Sequence, residues 1–272
     1  MSRLPLPADW LVPDWPAPPG VRAVCTTRAC PAGDAPSAAP WGGFNLADHV
    51  GDAPQAVASH RAALAACTGA RPVFLKQIHG CHVAELDAYA PDGQPADAAV
   101  TASSGVACTV MVADCLPVLL ARADGSAVAA AHAGWRGLAG GVIEAAAQAV
   151  RRLGPHPPAS AASATSAVEV VAWLGPCIGP DAFEVGPEVR AAFTTARPEA
   201  AACFTPRPGG KWLAHLPALA GQRLAALGIP AWGNDGSPAW CTFSQPQLFH
   251  SYRARPVTGR MAACVWLQAG HP

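Results

Sequence analysis

Charge is scarce in this chain. Asp, Glu, Lys and Arg make up 13% of its 272 residues, about half of the ~25% usual in globular domains. The 18 basic and 18 acidic groups also cancel. Without a basic excess there is little to neutralise a nucleic-acid backbone or an anionic bilayer, so a dedicated nucleic-acid binder and a membrane-surface protein are excluded. No segment approaches the ~20 consecutive apolar residues of a membrane span. Met1–Gly20 is interrupted by prolines and lacks the apolar stretch of a signal peptide. The ten cysteines are scattered singly with no CxxC pair, in a chain long enough to fold without disulfides. The expectation is a cytoplasmic protein with reduced thiols. His-x-His, the paired motif of multicopper oxidases, does not occur.

Apolar side chains are plentiful. At 51% hydrophobic residues, the chain can bury a sizeable core, which a disordered sequence cannot. Residues 1–20 read as an irregular Pro-rich arm, and 21–272 as a single catalytic domain. Strands are predicted at Val21–Thr27, Val73–Ile78, His82–Leu86, Val106–Val112, Leu116–Ala121, Ala127–Ala131, Val168–Leu174 and Met261–Leu267. Helices are predicted at Pro54–Cys67, with Asp52 near its cap and Gly69 past its end, and at Leu138–Leu153, stopped by Gly154. Two more fall near Pro187–Thr194 and Leu216–Leu227. Pro155–Ala167 reads as a surface insertion. Strands come in groups rather than in a regular βαβ rhythm, which predicts a mixed α+β domain.

Three segments end an apolar run on a polar group: Lys76-Gln77-Ile78-His79-Gly80, Ala113-Asp114-Cys115-Leu116-Pro117 and His132-Ala133-Gly134-Trp135-Arg136-Gly137. Core strands place their ends rigidly, so His79, Cys115 and His132 are candidates to converge. Two imidazoles and a thiolate suit Zn²⁺ and leave its fourth position open, as in catalytic sites. An open zinc brings the pKa of bound water towards ~7. Singly, each also reads as an ordinary interior histidine or an inert buried cysteine. Asp114 reads as a general acid/base, or as a residue that caps a turn or steadies a ligand. Arg136, at a helix start, reads as an anion contact or a solvated arginine. Gly175–Pro180, with Cys177, frames a pocket or makes a tight turn. The C-terminal groups Cys241-Thr242-Phe243, Phe249–Arg253 and Thr258-Gly259-Arg260 carry donors suited to phosphate or sugar, or form a polar loop.

These segments, with Gly175-Pro176-Cys177-Ile178-Gly179, Phe183-Glu184-Val185-Gly186 and Ser251-Tyr252-Arg253, follow one another as they do in the YfiH/YlmD family. That family is also called the multicopper polyphenol oxidoreductase (laccase-domain) or purine nucleoside phosphorylase YfiH family. The resemblance spans about Val21 to Leu267. It implies an α+β fold with mixed β-sheets sandwiched between helices in α/β/β/α layers. It implies a metal site at His79, Cys115 and His132, taken as zinc, with copper the lesser candidate. It further implies phosphorolysis of adenosine, inosine, guanosine or methylthioadenosine and deamination of adenosine. The partners are then a nucleoside and phosphate, and the assembly a monomer or small homo-oligomer. Asp114, Cys115 and Arg253 become the catalytic candidates, and Asn45, Arg61, Gln77, Arg136 and Cys177 the substrate-binding ones. The sequence departs from the pattern at His60-Arg61, where Asn-Arg is usual, and at Arg253-Ala254, where paired arginines are usual.

Other activities compete. A copper polyphenol oxidase would use Met111 as a weak axial ligand. An amidase editing peptidoglycan precursors would use the same metal or Cys115 as nucleophile. A non-catalytic interaction module would need neither.

Overall fold

The long strands of this chain are apolar at nearly every position, not at alternate ones, as expected of strands covered on both faces. Val106–Val112, Leu116–Arg122, Val128–Ala133, Val170–Leu174 and Met261–Leu267 are buried throughout. The computed structural model describes residues 5–153 and 169–268. In chain order the elements are β1 (Val21–Cys25), α1 (Pro54–Thr68), β2 (Arg71–Phe74), β3 (Val83–Glu85), β4 (Ala98–Thr101), β5 (Val106–Val112), β6 (Leu116–Arg122), β7 (Val128–Ala133), α2 (Trp135–Gly140) and α3 (Val142–Leu153). Then come β8 (Val170–Leu174), β9 (Glu184–Val185), α4 (Pro187–Thr194), β10 (Phe204–Arg207), β11 (Lys211–Ala214), α5 (Leu216–Ala226), β12 (Ala231–Gly233) and β13 (Met261–Leu267).

Two mixed sheets carry the architecture, one in the order β1-β13-β5-β2 and one in the order β12-β8-β6-β7-β4-β3; β10-β11-β9 form a small third. Alternation along each strand sorts side chains between layers. Val106, Cys108 and Val110 of β5 meet Leu119, Val128, Ala130 and Trp173 in the core between the large sheets. Ala107 and Met111 face the other way, into a cluster with Leu64 and Cys67 of α1. Leu116, Val118 and Leu120 of β6 pack on Ile143, Ala146 and Val150 of α3. The result is the α/β/β/α sandwich expected. The run of alanines in β7 lets α3 and the opposite sheet both approach closely.

Register builds the site. In the β6–β7 pairing Leu116 lies opposite Ala133 and Pro117 opposite His132. In the β4–β7 pairing Ala98 lies opposite Ala131. The start of β6, the end of β7 and the start of β4 therefore meet at one edge of the sandwich.

Several elements differ from expectation. The helix predicted over Leu138–Leu153 is two helices, α2 and α3, because Gly141 takes a left-handed φ of 103° between them. Asp52 stands next to the cap of α1, as expected, with Ala53 in the cap position itself. The Asp52 carboxylate accepts bonds from Ser37 Oγ, Asn45 Nδ2 and the Ala53 N–H. The strand predicted to reach Ile78 ends at Phe74, and only Lys76 pairs beyond it, with Pro95. Short strands β4 and β9–β12 were not legible from composition. Of the N-terminal segment, Trp10 is buried and Leu11 pairs with Cys25. The insertion predicted at Pro155–Ala167 lies outside the described residues. No helix among the described residues is long and apolar enough to cross a membrane.

Candidate metal centre

Two non-glycine residues among those described have positive φ, His79 at 60° and Asp114 at 93°. Such conformations cost about 1–3 kcal/mol each and persist where surrounding bonds enforce them. For His79 the enforcing group is Asp97. Its Oδ1 accepts the His79 N–H at 2.9 Å, and its Oδ2 accepts the Ile78 and Gly80 N–H groups at 3.1 and 2.7 Å. Asp97 Oδ1 also takes a bond from His132 Nδ1 at 2.9 Å. This fully buried carboxylate thus holds the His132 imidazole directly and His79 through its backbone. With Nδ1 of His132 given to Asp97, Nε2 is the nitrogen left to ligate.

The ligating atoms of His79, Cys115 and His132 all lie within 4.8 Å of one another, the one such group among the described residues. Cys115 Sγ is 3.8 Å from His79 Nε2. Zinc bonds of about 2.3 Å to sulfur and 2.0 Å to nitrogen, at a tetrahedral angle, would set two such atoms about 3.5 Å apart. The set therefore fits a single ion with little movement. Gly134 leaves the space: a Cβ there would stand 2.8 Å from His79 Cδ2 and 3.0 Å from Cys115 Sγ. Its φ of −63° suits any residue, so a side chain is resisted by collision alone. Gly134→Ala is expected to fold with an overpacking cost of about 1–3 kcal/mol and to hold less than half the metal of the native protein. Metal analysis beside a melting curve checks this.

Electrostatics prepare the sulfur. Burial pushes the Cys115 thiol up, but the charge and hydrogen bond of His132, with help from His79, outweigh it and bring it down to about 6. Burial pushes His132 down, but Cys115 and Asp97 raise it to about 9. Burial also opposes ionisation of Asp97, and the bonds from His132 and the loop N–H groups hold its carboxyl below the ordinary range. By contrast, burial drives the Cys25, Cys108, Cys177 and Cys264 thiols upward. Cys115 is thus a thiolate at neutral pH, the form that binds metal.

The three donors line a cavity of about 450 Å³ whose other walls include Gln77, Met111, Trp135, Phe183, Tyr252 and three arginines, Arg136, Arg253 and Arg260. Arg136 stacks on Trp135 with its Cζ 4.4 Å from the ring centre. Arg253 donates from Nη1 to the Glu184 carbonyl. Asp114 lies in the same wall, but both its oxygens are occupied at 2.6 Å, Oδ1 by Thr242 Oγ1 and Oδ2 by the Arg253 N–H. Its geometry is that of a holding residue.

Other sequence candidates sit elsewhere. Asn45 is fully buried, and its amide is spent on Ala47, Asp52 and the Arg260 N–H; it cannot reach a ligand. Cys177 is also buried, between the Ile178 carbonyl and Asn234 Nδ2. Arg61 pairs with Asp48 and lines a neighbouring cleft instead. Gln77 borders the cavity, but its amide is locked on both backbone polar groups of Met111. Asp97 was not singled out as a site residue from sequence, and Arg260 entered only within a donor-rich C-terminal group suited to phosphate or sugar. The signal for Asp97 was a lone carboxylate inside the apolar run Ala96–Val100.

An α+β sandwich carrying a His-Cys-His cluster on one edge, backed by a buried carboxylate, defines this molecule as a YfiH/YlmD-type protein. The chain belongs to the family described as multi-copper polyphenol oxidoreductase laccase, whose model matches residues 22–268. It is 46% identical over 260 residues to a Purine nucleoside phosphorylase of Pseudomonas aeruginosa, covering 95% of this chain and 98% of that protein. It is 42% identical to the Purine nucleoside phosphorylase YfiH of Escherichia coli, covering 94% and 98%. Among solved structures, a Neisseria meningitidis protein shares the fold at a TM-score of 0.84 and 44% identity, over 96% of this chain and all of that one. YlmD of Geobacillus stearothermophilus matches at 0.80 and 26%, over 98% and 100%.

Proposed function

We propose that this chain is a zinc-dependent purine nucleoside phosphorylase. In this reading it cleaves adenosine, inosine, guanosine or methylthioadenosine with inorganic phosphate, and it deaminates adenosine with water in the same cavity. The observation that carries the proposal is one cavity in which a three-donor metal cluster stands beside three arginines that form no ion pair with a carboxylate among the described residues. Its volume lies in the ~300–1,000 Å³ range of small-molecule sites. Relatives named for this reaction, aligned over nearly their whole length, support it. Zinc is favoured over copper because a Cys/His₂ set suits it and because no second donor group accompanies the first among the described residues. We place the protein in the cytoplasm, where unpaired thiols such as its cysteines stay reduced.

When bound, zinc would supply a Lewis-acid position at the cavity floor. The chain's own residues do the rest. Asp97 fixes the His132 imidazole and the backbone of His79. Trp135, Phe183 and Tyr252 present aromatic surface to a purine. The arginines present N–H donors to phosphate. In phosphorolysis a phosphate oxygen bonds to C1′ of the sugar as the C1′–N9 bond breaks. The electron pair leaves with the base, which takes up a proton. Asp114 contributes by holding Thr242 and Arg253 at the rim rather than by moving that proton.

The test is to assay metal and turnover together. About one zinc per chain, with hypoxanthine released from inosine only when phosphate is added, is the expected result. A folded, zinc-replete protein that releases no base from any of the four nucleosides would overturn the reading.

A further inference from the structure

Phosphorolysis needs an oxyanion held firmly against the sugar, and the three cavity arginines are not equally prepared for that. Among the described residues, Arg136 rests on Trp135 without a hydrogen bond, and the Arg253 guanidinium has one, to a carbonyl. Arg260 is clamped. Its Nη1 donates to the Thr258 and Gly259 carbonyls, both at 3.0 Å. Its backbone N–H donates to Asn45 Oδ1 at 2.9 Å.

The clamp is itself anchored. Asn45 Nδ2 donates to Asp52 Oδ2 at 2.8 Å, and Asp52 takes a further bond from Ser37 Oγ at 2.6 Å. On the other side, fully buried His250 meets Thr258 Oγ1 through Nδ1 at 3.1 Å. Gly259 lies between the two: a Cβ there would stand 2.6 Å from His250 Nε2 and 2.9 Å from Asn45 Cβ. Loop 258–260 therefore has one position, and it aims a guanidinium at the cavity that holds Cys115.

Among the described residues, the edge of that guanidinium bearing Nε and Nη2 makes no hydrogen bond and no carboxylate lies within ion-pair distance. Asp114 shares the cavity, but its two oxygens are already committed. A planar fork with two free N–H groups, held rigidly, matches two oxygens of a phosphate. Pre-organisation removes the entropy cost that a mobile arginine would bring.

We propose that Arg260 is the principal phosphate-binding residue of this cavity, and that Asn45 and His250 act through it as positioning residues. This rests on the phosphorolysis reading for its role in turnover, but the anion site is testable without it.

The experiment uses zinc-loaded full-length protein and inorganic phosphate. Arg260→Gln is expected to raise the phosphate KM for inosine cleavage about 10–100-fold, the range of a lost charge-assisted pair at tenfold per 1.4 kcal/mol, with the inosine KM changed less than twofold. Arg260→Lys, a point charge without the fork, is expected to fall between, and it carries the test if the glutamine variant does not fold. Asn45→Ala is expected to raise the phosphate KM by a smaller factor than Arg260→Gln. Arg207→Gln, at an exposed position in β10, is expected to change nothing. A second readout is the rise in melting temperature with phosphate alone, expected in the native protein and lost in Arg260→Gln. Folded Arg260 variants with native phosphate KM and native thermal shift would overturn the assignment. If the native protein turns over no nucleoside but shows a phosphate shift that needs Arg260, the anion site stands and the phosphorylase reading falls.

Discussion

Replacing Cys115 with Ser is expected to abolish metal retention and to lower turnover about 10³-fold or more, the several kcal/mol that a Lewis acid contributes. Serine is close in size and keeps the turn between β5 and β6, so the protein should fold. What it lacks is the thiolate. In the native protein His132 and His79 bring the Cys115 thiol down to about 6, while Cys115 and Asp97 raise His132 to about 9. The metal-free protein therefore carries a thiolate–imidazolium pair between those two values. Below about 6 the sulfur takes up a proton, and above about 9 the imidazole loses one.

The contribution of this pair to stability follows the same window. The depressed thiol gives stability that is lost as pH falls through about 6, and the raised imidazole gives stability that is lost as pH rises through about 9. Thiolate ultraviolet absorbance of the metal-free protein should titrate near pH 6 and be missing from Cys115→Ser. A Cys115→Ser protein that still binds zinc at one per chain and turns over at the native rate would remove this residue from the site.

Asp97→Asn is the second large effect. Asp97 accepts four hydrogen bonds from groups on two segments, the Ile78–Gly80 loop and His132 of β7, and is fully buried. Asparagine keeps the shape but removes the charge, and turns an NH₂ group towards N–H donors. Breaking a buried charged pair on one side costs about 3–5 kcal/mol. For a protein of this size, 1 kcal/mol corresponds to about 2–4 °C, so a drop of roughly 6–20 °C in melting temperature is expected. Metal affinity should also fall about 10–100-fold, as when a carboxylate behind a ligating histidine is lost. Calorimetric melting and zinc titration against a competing chelator give the two numbers. Unchanged affinity in a destabilised but folded variant would make Asp97 a support for the fold alone.

Much of the architecture is readable along the chain because it is local. β5 and β13 fall at Val106–Val112 and Met261–Leu267, as their runs of almost wholly apolar residues predict. Helix α1 starts at Pro54 and closes on a left-handed Gly69, a pattern written in adjacent residues. The helix break at Gly141 was missed because glycine is tolerated within a helical stretch, and only packing decides whether it bends. Strands β9–β12 were missed because they are short and exposed on one side, so their pairing owes little to their own sequence.

The same division runs through the site. The sequence by itself determined which residue types ended the core strands, and so singled out His79, Cys115 and His132, with Arg136 and Arg253 nearby. Tertiary structure alone decided what holds them and what faces the cavity. Asp97 grips His132 across 35 positions, and Asp114 reaches Thr242 across 128. Asn45 and Cys177 turned inward, Arg61 turned to a neighbouring cleft, and Arg260 took the place in the wall. A polar side chain's role depends on which partners the folded chain brings within about 3 Å, the reach of a hydrogen bond. Those partners come from strand register and loop closure, which no local pattern records.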